Sequence, residues 1–507
     1  MKLIPLNKLN QRILKTFIIT AATLVCLTVS LNHELWTDEG YMLISSLDYT
    51  IIELLDYYRF NGFVPVHSFF IKILAGITDN QIIVLKSITI FSYLLCCLLI
   101  INIKEIPLFV KILLLFSYPL LAEYAIINRH YIWYALAIFY LILINKKKYN
   151  FTLLSLGLLN STGPFGVIIG VAFKASNYSF FLNNLKNNKL SSLIYLIFFL
   201  ISIYYIFPFD QNLNFTKFRT GDSWYGLPGL EKFNYVFDRI FLSINYTQDI
   251  LDSDNIWSLY NSNYYIYKFF LAYGIIQFLI LLALLINEDK SSFFFILIIF
   301  FLFLTAFIIQ GRGDWRHYFI FSIIFYCLSL KIIFFHKKTN IFKSIYKLSF
   351  IATLILSNIF SISFITKDLF YDFSQGYNVA LFLKKNHIKC NDITSYPLGA
   401  SNSWVPYMEK NCKPFQFGLG GNYSFHKNLA VGRSQKYNNA DLLNSINTNY
   451  IILKCEMNKR YVDPCKKNIE FYTNLKTYNK KNKIFRFNSK TLNGYEKFVI
   501  FKIYKAN

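Results

Sequence analysis

Charge is scarce in this sequence, and acid scarcer still. Charged residues make up 16% of its 507 positions, and 28 Asp and Glu face 52 Lys and Arg. Such a chain is far from the average soluble domain. Other signals are missing altogether. No Cys-x-x-Cys spacing occurs among the eight cysteines, which argues against a structural zinc site. No internal repeat and no long low-complexity tract appear, so the inverted repeats common in secondary transporters find no support. No small-x-small cleavage site follows Leu31. The first apolar run, with its basic leader, is therefore expected to stay on the protein as an anchor. The net charge of +24 raises the question of nucleic acid. No soluble segment interleaves basic residues with exposed aromatics, and a nucleic-acid partner is not expected.

Hydrophobic residues fill the space that charge leaves. They reach 55%, with 19% aromatic and a mean hydropathy of +0.37. Apolar runs recur through the first 366 positions and then stop, which predicts an α-helical polytopic membrane domain over 1–366 and a small soluble α/β domain over 367–507. Runs near 13–31, 81–101, 106–121, 132–144, 151–160, 165–175, 190–208, 267–287, 291–309, 318–335 and 348–366 predict about eleven crossings. The runs at 132–144, 151–160 and 165–175 are short for a simple span and suggest broken, tilted or re-entrant helices.

Lysines cluster between runs at Lys2/Lys8/Arg12/Lys15, Lys146–Lys148, Lys174/Lys186/Lys189 and Lys337/Lys338/Lys343/Lys347. The positive-inside rule places these in the cytoplasm. An odd number of crossings then puts the loops at 32–80 and 209–266, and the tail, outside the cytoplasm of a multi-pass inner (plasma) membrane protein. Loop 32–80 is patterned for interfacial helices around Ile51–Leu55 and after Pro65. Loop 209–266 carries Trp224, Tyr225, Pro228 and Trp257 as belt or lid residues.

The tail holds 23 Lys and Arg against 9 Asp and Glu, with a helix expected over 377–387 and strands over 450–454, 483–487 and 497–504. Asn493-Gly494 marks a hairpin turn between the last two. Cys26, Cys96, Cys97 and Cys327 lie in apolar runs. Cys390, Cys412, Cys455 and Cys465 lie in the tail, where an oxidising compartment permits two bridges. Chain order favours Cys390–Cys412 and Cys455–Cys465 among three connectivities.

Polar residues gather at the expected outer ends of the runs. Asp38 and Glu39 follow the first, His67 lies in the first loop, and Glu123 precedes Asn128-Arg129-His130-Tyr131. Later comes Arg312-Gly313-Asp314-Trp315-Arg316-His317-Tyr318. Ionisable groups at a bilayer face are costly and point to a site. A carboxylate such as Asp38 suits a general base, and Arg129, Arg312 and Arg316 suit bidentate contacts to a phosphate that gains charge. Structural roles compete: the arginines can snorkel, and Asp314 can neutralise its neighbours.

The ordered set W-T-D-E-G-Y, F-V-P-V-H-S-F-F, Y-P-L-L-A-E-Y-A-I-I-N-R-H-Y and R-H-Y-F-I-F-S resembles bacterial GT-C glycosyltransferases of the family 39 type, similar to protein O-mannosyltransferases and the lipid A aminoarabinose transferase. The resemblance covers roughly residues 10–340. It implies transfer of a sugar from a polyprenyl-phosphate donor to a lipid, glycan or protein acceptor, with inversion. Asp38 and Glu39 would be catalytic, and Arg129, His130, Tyr131, Arg312, Arg316, His317, Tyr318 and His67 would bind substrate. The sequence departs from the family pattern in three places. Glu123 is displaced from its usual spacing, one residue is inserted at Arg316-His317-Tyr318, and Asn61–Pro65 lacks both the acid and the first proline of a Pro-Pro element. The missing acid argues against a tight divalent-metal site and predicts at most a modest effect of chelation, with Glu39 and His67 or His130 as the candidate ligands of any metal that is recruited. A flippase or transporter, or an O-antigen ligase or polymerase, is the alternative reading.

Overall fold

The computed structural model describes residues 8–35, 37–55, 66–78, 80–143, 149–206, 229–245, 264–310, 315–336, 340–396 and 401–409. In the rest of the tail it describes 412, 414–416, 421–422, 449–455, 483–486 and 497–502. The sequence places Arg312, Asp314, Trp36, Asn61–Pro65, Lys146–Lys148, Lys337, Lys338, Trp224, Tyr225, Trp257, Cys465 and Asn493-Gly494 at important points, and all lie outside these residues.

The chain begins with α1 (Lys8–Asn32), α2 (Thr37–Asp48), α3 (Val66–Ala75), α4 (Gln81–Ile101) and α5 (Leu108–Leu115), followed by a π-helix over Tyr118–Ile126. It continues with α6 (Tyr131–Leu143), α7 (Tyr149–Asn160), α8 (Pro164–Ser176), α9 (Tyr178–Asn187), α10 (Lys189–Ile206) and α11 (Gly229–Ile244). The last helices are α12 (Tyr264–Glu288), α13 (Lys290–Gln310), α14 (Trp315–Phe334), α15 (Ile341–Phe370) and α16 (Gly376–Lys385).

The protein is a helical, polytopic membrane protein, but the expected eleven crossings do not hold. Among the described residues, six helices are long and apolar enough to cross a bilayer: α1, α4, α12, α13, α14 and α15. The count reaches eight if two bent pairs, α5 with the π-helix and α8 with α9, each form one span. The run at 106–121 is one of these pairs, bent by 42°, and the run at 165–175 begins the other, bent by 99°. The runs at 132–144, 151–160 and 190–208 form the shorter apolar helices α6, α7 and α10. Apolar content misled the count because α6 is buried against protein: Trp133, Phe139, Leu141 and their neighbours sit in the main core. A run can be apolar to pack inside a bundle as well as to face lipid.

Local chemistry explains several boundaries. Asn80 caps α4 by accepting from the Ile83 amide at 3.2 Å, and Asn340 caps α15 by accepting from Lys343 at 2.7 Å. Gly163 sits at φ +134°, a turn that side chains resist, immediately before Pro164 opens α8. The break between α5 and the π-helix frees backbone groups inside the bundle. Side chains from other helices take them up: Tyr93 Oη donates to the Leu115 carbonyl at 2.9 Å, Asn358 Nδ2 to Leu113 at 2.7 Å, and the Tyr118 amide donates to Ser357 Oγ at 3.0 Å.

Loop 209–266, expected as a belt or lid, contains the amphipathic helix α11. It buries Val236, Ile240, Phe241 and Ile244. In the tail, α16 matches the expected helix, and the strands β1 (Ile393–Tyr396), β2 (Phe415–Gln416), β3 (Gly421–Asn422), β4 (Tyr450–Cys455), β5 (Lys483–Arg486) and β6 (Lys497–Lys502) form one mixed sheet. The strand order is β3-β2-β1-β4-β6-β5, with β1 parallel to β2 and β4 and the other pairs antiparallel. The pairing of β5 with β6 agrees with the expected hairpin. Cys390 and Cys412 are bonded, with Cα atoms 5.3 Å apart, and Cys26, Cys96, Cys97 and Cys327 are free and buried.

The tail is seated on the helix that carries Asp38. Ile44 of α2 shares a core with Trp404, Val379, Leu383, Ile393, Ile452 and Ile500. Two glycines permit the close approach: a Cβ on Gly40 would lie 1.7 Å from the Asn402 carbonyl oxygen, and one on Gly376 would lie 2.3 Å from that of Ser403. The Leu35 amide also donates to Tyr407 Oη at 2.6 Å. Gly40→Ala is therefore expected to lower the melting temperature by several degrees and to speed proteolysis between residues 390 and 410. A variant that melts and cleaves like the parent would show that this contact yields without cost.

Candidate functional site

The site is built where α2, the loop after the π-helix and the start of α14 meet. Asp38 and Glu39 occupy the first turn of α2, where the helix dipole favours acids. Successive residues on a helix point about 100° apart. One acid faces outward and the other inward.

Asp38 is the outward one, with its side chain 43% exposed. Arg129 Nη1 lies 3.1 Å from its Oδ2, and Arg316 Nη1 lies 3.5 Å from the same atom. Both guanidiniums are well covered by protein. Arg129 comes from the loop that follows the π-helix, and its guanidinium carbon is 5.7 Å from the Tyr131 ring centre. Arg316 is the second residue of α14, and its carbonyl accepts from Tyr124 Oη of the π-helix at 2.7 Å. Tyr131 Oη and His317 Nε2 are hydrogen-bonded at 3.0 Å, and the His130 ring lies 4.7 Å from that of Tyr131. Residues separated by nearly 280 positions are thus drawn into one cluster.

Glu39 is fully buried and belongs to a different set. Its Oε1 accepts from the Asn128 amide at 2.7 Å and from Asn128 Nδ2 at 3.1 Å, while Oε2 lies 3.2 Å from His33 Nε2. His33 Nδ1 reaches both carboxylate oxygens of Asp368 at 3.1 Å. Lys86 Nζ donates to the His33 carbonyl at 2.7 Å. Burial alone would lower the His33 pKa, but the Asp368 and Glu39 carboxylates outweigh it and hold the imidazolium up to about 10. Two carboxylates, one imidazolium and one ammonium therefore neutralise one another inside the protein. Breaking comparable buried pairs by removing one partner costs about 3–5 kcal/mol.

His67 and Tyr318 lie at the edge of the Asp38 cluster. His67, on α3, is 4% exposed, and neither ring nitrogen has a hydrogen-bond partner among the described residues. Its ring centre is 6.1 Å from that of His130 and 5.0 Å from that of Trp133. Burial, then the charge on Arg129, lowers its pKa to about 3, and the same causes hold His130 well below its ordinary value. Tyr318 is buried and stacks on Phe307 with ring centres 4.3 Å apart, a packing position. Among the described residues, no three His, Cys, Asp or Glu side chains gather closely enough to hold a metal ion. Glu39 is engaged by His33 and Asn128, so the candidate ligand trio of Glu39, His67 and His130 is not assembled.

The sequence pattern does not single out His33 or Asp368. Asp368 falls beyond the expected end of the last apolar run, yet it lies in the last turn of α15, which runs past that boundary. The available signal was a His and an acid flanking apolar runs at the same expected side as Asp38. No protein-family model matches this sequence, and no curated protein matches it.

His33 makes a signed prediction. Its pKa is raised from 6.5 to about 10 on folding, so the stability it contributes is complete below about pH 6.5 and is lost as pH climbs through about 10. Thermal unfolding measured across this range is expected to show the parent losing its advantage over His33→Asn as pH rises. A difference between the two that does not vary with pH would refute the ion pairing.

Proposed function

We propose that the protein is an integral-membrane glycosyltransferase of the GT-C type. In this reading it moves a sugar, with inversion, from a polyprenyl-phosphate donor to a hydroxyl on a lipid, glycan or protein acceptor. The observation that carries the reading is the exposed Asp38 carboxylate held between two covered guanidiniums.

The chemistry follows from those three groups. Asp38 accepts the proton of the acceptor hydroxyl as its oxygen bonds to the anomeric carbon. The bond from that carbon to the phosphate oxygen breaks, and its electron pair stays on the phosphate. A singly charged diester thereby becomes a monoester of higher negative charge, which Arg129 and Arg316 meet with charge-assisted hydrogen bonds. The N-terminus of α14 adds positive potential beside Arg316. The same arginines restrain Asp38 when no phosphate is present, so donor binding releases the carboxylate. Glu39 acts in this scheme as a positioning residue, through Asn128. Arg312 keeps its proposed place as a third phosphate ligand from the resemblance alone.

The transporter alternative is less well supported. It calls for ionisable groups near the middle of spans, whereas Lys86 lies early in α4 and Asp368 at the end of α15. The Cys390–Cys412 bridge favours a tail in an oxidising compartment outside the cytoplasm.

Asp38→Asn is expected to reduce transfer on the order of 10²–10⁴-fold while the protein still folds, because shape and hydrogen-bonding reach are kept. Arg129→Ala and Arg316→Ala should raise the donor KM roughly tenfold or more and leave the acceptor KM nearly unaltered. The readout is the mass of cell-envelope lipids and glycans with and without each variant. Normal products from Asp38→Asn would remove the assignment. For orientation, a reporter fused after residue 370 is expected to be active only outside the cytoplasm, and activity inside would reverse the topology.

A further inference from the structure

His67 and His130 stand beside the arginine pair without a part in the transfer chemistry. His67 is buried, its two ring nitrogens find no hydrogen bond among the described residues, and its ring is close to those of His130 and Trp133. A buried imidazole left in this condition is costly. Trp133 cannot relieve it, because the indole Nε1 already donates to Ser92 Oγ at 3.0 Å. Phe70 packs edge-on against Trp133 with ring centres 5.7 Å apart, closing that side with hydrocarbon.

We propose that His67 and His130 form a subsite for the ring hydroxyls of the sugar, resting on the glycosyl-transfer reading above. A neutral imidazole presents one N–H donor and one bare nitrogen acceptor. A hydroxyl also donates and accepts, and two adjacent hydroxyls satisfy two imidazoles together. A carboxylate could meet only the N–H, and an ammonium only the bare nitrogen, with Arg129 repelling it. The depressed pKa values of both histidines keep the pair uncharged and so matched to uncharged partners. Position adds a second argument. Arg129 and His130 both lie against the Tyr131 ring, the guanidinium carbon 5.7 Å and the imidazole centre 4.7 Å from its centre, so a group covalently joined to a phosphate on Arg129 arrives next to the imidazoles. A sugar phosphate has this connectivity.

The test measures lipid binding by the full-length protein in detergent. One probe is a polyprenyl phosphate without sugar. The others carry glucose, galactose, mannose or arabinose on the same phosphate. The parent is expected to bind at least one sugar-bearing lipid about tenfold more tightly than the bare lipid, as two hydrogen bonds allow. His67→Phe, which keeps the packing volume, and the less buried His130→Gln should each erase most of that preference without changing affinity for the bare lipid. Arg129→Ala should weaken both kinds of lipid. If His67→Phe does not fold, His130→Gln decides the outcome alone. A preference that survives in the folded variants overturns the subsite, as does a parent that binds all lipids equally through Arg129. A parent that binds no polyprenyl phosphate at all overturns the transferase reading, and the subsite with it.

Discussion

The hydrogen bonds between the buried Glu39 carboxylate and the Asn128 backbone and side-chain amides are the contact on which the site depends. Each partner is followed or preceded in sequence by a residue of the candidate site: Asp38 precedes Glu39, and Arg129 follows Asn128. The buried pair therefore sets the register of Asp38 and Arg129. Because neighbouring residues of a helix diverge by about 100°, turning Glu39 inward leaves Asp38 facing outward. An isolated buried carboxylate would be prohibitive. His33, Asp368 and Lys86 make it tolerable by charge balance, and they draw α1, α4 and α15 into the support of α2.

The second constraint is the break before the π-helix. A regular continuation of α5 would send the following residues along another face. Ser117 adopts an extended conformation, and Tyr93, Ser357 and Asn358 bond the backbone groups near the break. The wider π-helix brings Tyr124 to the Arg316 carbonyl and delivers Asn128 and Arg129 to α2. Irregular backbone within an apolar bundle persists only when the surrounding protein satisfies it, and such segments concentrate at functional sites.

The tail is part of the same mechanical unit. The segment around Asn402–Tyr407 rests on Gly40, one residue beyond Glu39, and on Gly376 at the start of α16. The Cys390–Cys412 bridge closes the chain around this segment. The tail thus packs on the helix that carries Asp38 without adding a side chain to the cluster of Asp38, Arg129 and Arg316.

Much was determined by the sequence itself. Its apolar content dictated a helical membrane protein and its tail pattern the strands β4, β5 and β6, while its cysteine order favoured the Cys390–Cys412 bridge among three connectivities. The polar sets between apolar runs also brought Asp38, Arg129, His130, Tyr131, Arg316 and His317 under suspicion, and these do converge. Only the tertiary structure decided that α6, α7 and α10 fall short of simple spans, that α11 lies within an expected loop, and that Asp38 and Glu39 part company. Composition reports how much apolar surface a segment has, but not whether lipid or protein covers it. Likewise, Glu39 finds Asn128 across 89 residues and His33 finds Asp368 across 335. Which of two adjacent acids is buried is set by partners that far away, because a charge enters a protein interior only where opposite charge and hydrogen bonds await it.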